Sequence, residues 1–211
     1  LYDTVQLFSD RVRRASAWPF LESGTHGFAL WKLSERLEIP EPEILARRGS
    51  AMAYWLFKSE PEVYGFDHLL AETDRTTGWD GVRNYQARNF LRDSIKVGDG
   101  VLFYHSNADP ACIAGIAEVV RAGHPDPTAF DPQSEHHDPK SDPASPTWYQ
   151  VSIRAVKAID PPLGLPRLKE MPELAGMELL RKGSRLSVQP VTEREWKVIM
   201  ALAGGKPTKK R

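Results

Sequence analysis

Cysteine is almost missing from this chain: Cys112 is the only one in 211 residues, so the chain holds no disulfide of its own and no paired-thiolate metal site. No apolar run approaches the roughly 18 residues a membrane-spanning helix needs, and no signal-peptide pattern opens the sequence. These absences set the expectation of a reducing, cytoplasmic setting without a membrane partner. An excess of charge is missing too, with 28 Lys and Arg against 28 Asp and Glu. Residues 53–203 carry 17 cations and 21 anions, a net of −4, whereas the last eight residues add Lys206, Lys209, Lys210 and Arg211. A protein that grips long duplex DNA through many phosphates should be clearly basic, so any nucleic-acid role must rest on a small local site. A phosphate-cradling glycine loop and a nucleophile elbow are also absent, which argues against dinucleotide binding and nucleotide hydrolysis.

What is present suffices for a folded domain, since 41% of the residues are hydrophobic. Residues 1–51 read as an N-terminal extension, either weakly packed helices around Val5, Phe8, Val12, Phe28 and Trp31 or a segment foreign to the domain. From Ala53 the pattern sharpens. Tyr54–Lys58 reads as an aromatic-rich strand ended by Ser59-Glu60-Pro61, and Phe66, Leu69 and Leu70 as a short helix with Asp67 as its cap. Strands follow at Val101–His105, Ile113–Arg121, Trp148–Ile159 and Arg185–Pro190. Residues 122–147 form a long loop holding six prolines. Thr192 with Glu195 is a capping box that opens a last helix carrying Trp196, Ile199 and Met200. The sum is an α+β domain over 53–203, a small β-barrel of about five to six strands with flanking helices, followed by a basic tail at 204–211.

One stretch does not fit a core or a plain loop. Gly78-Trp79-Asp80-Gly81-Val82-Arg83-Asn84-Tyr85-Gln86-Ala87-Arg88-Asn89 is too polar for a core helix and too aromatic for a solvent loop. A flat apolar ring beside carboxylate, guanidinium and amide groups suits a planar, polar ligand, and Asp80, Arg83 and Asn84 are group types that read base edges. Lys58, Ser59 and Glu60 close a strand where an exposed ion pair would be worth little, but they could equally line a site. His136-His137-Asp138, with His124 and Asp131, reads as solvated loop rather than metal ligands, and Cys112 as a small buried hydrophobe despite its nearness to His105. No cofactor is expected.

Four blocks in order, Lys58-Ser59-Glu60-Pro61, Trp79 to Asn89, Phe103-Tyr104-His105-Ser106-Asn107 and Ser187-Val188-Gln189-Pro190, resemble the EVE domain, a PUA-like family related to the YTH readers of methylated adenine. The resemblance spans Tyr54 to Leu202, includes Asp138-Pro139-Lys140-Ser141-Asp142 in the long loop, and excludes residues 1–51. It implies a PUA-like barrel that binds a modified base in DNA or RNA, most often modified cytosine in DNA, in an aromatic pocket. By block position Trp79 is the expected cage wall, Lys58 and Ser59 lie at the floor, Glu60 belongs to the same pocket, and Tyr104, His105 and Ser106 supply a second wall or polar contacts. Asp80, Arg83, Asn84 and Gln189 are further candidates, and Trp148 stands in for the partner cage residue. Extruding a base from a duplex costs a few kcal/mol and stacking returns about 1–3 kcal/mol, so single-stranded, flipped-out or structured RNA targets are favoured, bound by a monomer. The alternative is an amidohydrolase of the PUA-like ASCH type, with Lys58 and Glu60 acting on a modified nucleoside. A third reading makes the 122–147 loop a protein-interaction arm.

Overall fold

A computed structural model describes residues 52–204; the N-terminal extension and the tail beyond Gly204 lie outside the described residues. Six strands form one mixed sheet: β1 (Tyr54–Ser59), β2 (Thr76–Trp79), β3 (Gly100–His105), β4 (Cys112–Pro125), β5 (Tyr149–Gly164) and β6 (Val188–Val191). Their order is β2-β5-β4-β3-β1-β6. β1 and β3 run parallel at its heart, with Trp55 opposite Val101 and Lys58 opposite Tyr104, and every other pairing is antiparallel. Parallel strands are covered on both faces, which explains why Trp55-Leu56-Phe57 and Val101-Leu102-Phe103 are unbroken apolar runs.

The sheet curls strongly. Trp79 on β2 and Phe57 on β1 sit four strands apart in the order, and in a flat sheet spacings of about 4.8 Å would hold them roughly 19 Å apart. Their ring centroids are 5.1 Å apart. Register shifts along the long β4–β5 ladder supply the bend, since each bulge kinks its strand and adds twist. The result is an open barrel whose edge strands β2 and β6 stay unpaired with each other among the described residues.

Two cores follow from the two faces. The concave face packs Trp55, Phe57, Phe103, Trp79 and Val151 against Phe66 and Leu69 of α2 (Phe66–Ala71), which follows the single turn α1 (Pro61–Tyr64). It also packs Ala87 of α3 (Tyr85–Asn89) and Leu91 of the wider turn Phe90–Ser94. The convex face packs Leu56, Leu102, Tyr104 and Ile116 against Leu168 of α4 (Leu165–Lys169) and Ile199 of α5 (Glu193–Gly204). Gly115 on β4 has no side chain for a steric reason, because a Cβ there would run into the Phe66 ring. At the core's other end the buried Asp99 carboxylate accepts from the Trp55 indole N–H at 3.0 Å and the Lys96 amide at 2.9 Å, which seats the turn before β3.

The capping box on α5 is present: the Thr192 amide donates to Glu195 Oε2 at 2.7 Å and the Glu195 amide to Thr192 Oγ1 at 3.2 Å. Four details differ from expectation. Asp67 does not cap α2; Gly65 holds that position, and its amide donates to His68 Nδ1 at 2.8 Å. Gly78 and Trp79 belong to a sixth strand, β2, rather than to a loop, because Gly78 and Trp79 pair with Ser152 and Val151 on β5. β4 runs on to Pro125, shortening the loop. Arg185–Ser187 precede β6 instead of forming it.

Candidate nucleic-acid interface

Strand periodicity sorts the expected site residues. Side chains alternate faces along β1 and β3, so Ser59 and His105 share the concave face while Lys58 and Tyr104 point to the convex one. Gln189, opposite Leu56, also faces the convex side. The residues therefore form two groups on opposite sides of the sheet instead of one pocket.

The concave group gathers around Phe103. Trp79 and His105 meet its ring edge-on at 5.3 and 5.7 Å, and Tyr64 lies 6.5 Å away. Trp79, pressed also against Phe57, is only 8% exposed and is chiefly a core residue. Burial pushes the Tyr64 hydroxyl up to about 12, so it stays a neutral donor and acceptor. The Asp80 carboxyl is raised by burial and by nearby Asp126, against the pull of His136 and Arg83.

At the mouth the parallel pairing of β1 and β3 continues to the strand ends. The Ser106 amide donates to Ser59 O at 2.8 Å, and the Asn107 side-chain amide donates to Glu60 Oε1 at 2.6 Å. His105 Nε2 accepts the Phe66 amide at 3.0 Å and so satisfies the start of α2. That bond needs an unprotonated nitrogen, and burial lowers the His105 pKa in the same direction, against the pull of Asp67 and Glu62. A group that binds protons less readily in the folded chain makes acid favour unfolding. Its contribution is therefore intact above the ordinary value of 6.5 and is lost as pH falls below it. We expect thermal stability to drop with acidification through this window, and the drop to shrink in His105→Gln, measured by melting temperature against pH.

The convex group is separate. Burial lowers the Lys58 pKa, and the charge it feels is Glu178 rather than Glu60. With Glu60 tied to Asn107, the Lys58–Glu60 pair an amidohydrolase would use is not assembled.

A third cluster binds the long loop to the 80–88 stretch. Arg83 donates to Asp126 Oδ2 at 2.7 Å, to Thr128 Oγ1 at 3.1 Å and to His136 O. The Gly81 amide donates to the same Asp126 oxygen at 3.1 Å, and a Cβ at Gly81, whose φ is +71°, would meet His136 Nε2 at 2.5 Å. Trp148 is buried, donates its indole N–H to Asp138 at 2.6 Å, and is flanked by Arg83, Arg88 and Tyr85 at 5.2, 5.9 and 5.0 Å. Trp148 thus belongs to this latch, and the loop is not a free arm. Asn84 caps α3, its Oδ1 accepting from the Gln86 and Ala87 amides at 2.9 and 3.0 Å. Arg83 and Asn84 are therefore committed to the protein itself. Sequence reasoning missed Tyr64 and Asp126; Asp126-Pro127-Thr128, an Asp two residues before a Thr in a turn, was the available signal.

A family model described as EVE domain matches residues 53–202. Thymocyte nuclear protein 1 of Homo sapiens is 36% identical over 173 residues, covering 74% of this chain and 76% of that protein. Among solved structures, a Pseudomonas syringae protein is 46% identical with a TM-score of 0.68, over 72% of this chain and 99% of that one. The human THYN1 protein, crystallised in complex with DNA containing 5-methylcytosine, is 36% identical with a TM-score of 0.67, over 74% of this chain and 99% of that one.

Proposed function

This chain belongs to the EVE domain family, and on that premise we propose that it is a binding module for a modified nucleobase in a nucleic-acid strand. The observation that carries the reading is the likeness, across nearly the whole of that protein's chain, to human THYN1 bound to DNA containing 5-methylcytosine. The concave mouth is the seat: Ser59, Tyr64, Asp80 and His105 are polar groups gathered above the buried Phe103 and Trp79 rings. A carboxylate acceptor and a neutral phenol suit a base edge, which carries hydrogen-bond donors and acceptors. A base has to leave its stack to reach such a mouth, so a single strand or a flipped-out nucleotide is the preferred form. Binding without turnover is the chemistry proposed, in keeping with the likeness to THYN1 crystallised with DNA containing 5-methylcytosine.

The test is fluorescence anisotropy with a single-stranded oligonucleotide carrying one 5-methylcytosine and its unmodified twin. We expect at least roughly tenfold tighter binding of the modified strand, about 1.4 kcal/mol. Equal affinities for cytosine and its modified forms would sink the reading, as would nucleoside products detected by mass spectrometry after incubation at high protein concentration.

A further inference from the structure

A cavity of about 330 Å³ opens at the β6 edge of the sheet. One wall is Gln86 and Phe90 at α3; the other is drawn from the segment 178–186, which presents Arg181, Lys182 and Arg185 beside Glu178. Three cations in five residues stand out in a domain whose net charge is −4. Arg181 reaches Glu178 at 3.5 Å, but among the described residues Lys182 and Arg185 have no ion-pair partner. Both are exposed.

The segment carrying them is fixed rather than draped. Ser184 Oγ donates to Glu178 Oε1 at 2.7 Å, and Gln189 Nε2 donates to Ser184 Oγ at 3.2 Å and Leu186 O at 3.1 Å. The Leu186 carbonyl accepts only, so the Gln189 amide nitrogen must face it and the orientation of the side chain is settled. That leaves Gln189 Oε1, 1% exposed as a residue, as an acceptor without a protein partner directly behind the cavity wall. Unneutralised cations carried on a backbone held by these hydrogen bonds suit phosphate recognition, because the charges are available and the segment that bears them is already placed.

We infer that this cavity is the phosphodiester seat for the strand whose modified base enters the concave mouth, with Lys182 and Arg185 as its anion contacts. The inference rests on the reading of the chain as a nucleic-acid binder. The ligand class is the sugar-phosphate backbone, read without regard to sequence. It explains how a domain of negative net charge can hold a strand: the attraction is local.

The test compares wild type with Lys182→Ala/Arg185→Ala, titrating the 5-methylcytosine strand and its unmodified twin between about 50 and 300 mM salt. Two phosphate contacts to a single strand contribute roughly 1.4 to the slope of log affinity against log salt. The double variant is expected to lose about that much slope and roughly tenfold in affinity for both strands, with their ratio unchanged. Arg167→Ala/Lys169→Ala on α4, which removes two cations elsewhere, is expected to leave the slope alone. An unchanged slope in the cavity variant overturns the inference, and an equal drop in the α4 variant overturns it as well. Equal wild-type affinity for the two strands would instead remove the base-reading proposal, while a slope lost only in the cavity variant would still support the phosphate seat.

Discussion

Trp79→Ala is expected to lose about 3–5 kcal/mol of folding stability, the usual range for deleting a large buried aromatic. The ring is 8% exposed, packs on Phe57 and Phe103 at 5.1 and 5.3 Å, and closes the curl that brings β2 over β1. Removing it leaves a cavity where the two ends of the sheet meet, and β2, an edge strand of four residues paired only with β5, has little else to hold it. Urea denaturation followed by circular dichroism would show a lower midpoint; a loss under about 1 kcal/mol would mean that Trp79 is not the core residue the geometry makes it. The consequence for function is direct. Lost oligonucleotide binding in Trp79→Ala would report an unsettled barrel as readily as a missing stacking face, so Trp79→Phe, which keeps an aromatic in the same space, is the better probe of base contact.

The strands most legible in the sequence are those with continuous apolar runs or clear alternation. Tyr54–Lys58 and Val101–His105 were readable because central parallel strands must be apolar on both faces. The α5 capping box was readable because its two hydrogen bonds are local, three residues apart. β2 was not, since Thr-Thr-Gly-Trp carries no alternation and exists through its pairing with β5. The α2 cap was misplaced for a related reason: the acceptors at its start are His68 and the distant His105, which no local pattern announces. For the candidate site, the four blocks marked stretches of chain but could not say which face each side chain takes. Lys58 and Ser59 are adjacent in sequence and lie on opposite sides of the sheet. Arg83 and Asn84 have the groups that read bases, yet they are engaged by Asp126 and by the α3 amides. Lys182 and Arg185 were passed over because three cations beside a glycine look like solvated surface until the fold places them on a cavity wall.

The Asp126→Ala substitution should cost about 3–5 kcal/mol, because it strips the partner from a partly buried guanidinium and from two amides at once. The Asp126 carboxylate, fully buried, accepts from Gly81 N, Arg83 Nη1, Thr128 N and Thr128 Oγ1 at 3.1, 2.7, 2.9 and 2.6 Å. Burial works to raise its pKa, but the Thr128 and Arg83 hydrogen bonds outweigh that and hold it below its ordinary value of 3.8. A carboxyl depressed in the folded chain releases its proton more readily there, so its stabilisation is complete above 3.8 and fades as pH falls through the folded value. Asp126→Asn keeps the shape yet must turn an amide N–H toward Arg83 or Thr128, so it should be destabilised at neutral pH and show a flatter stability profile in acid. The damage should also be local before it is global. Arg83 holds the 126–148 loop through Asp126, Thr128 and His136 O, so freeing it should raise amide exchange at Gly81 and Thr128 ahead of the core strands β1 and β3. Uniform exchange across loop and core in Asp126→Asn would show that the latch is not a separate unit. Selective exchange in the loop would show that Asp126, although remote in sequence from Gly78–Asn89, is what fixes that stretch at the edge of the concave mouth.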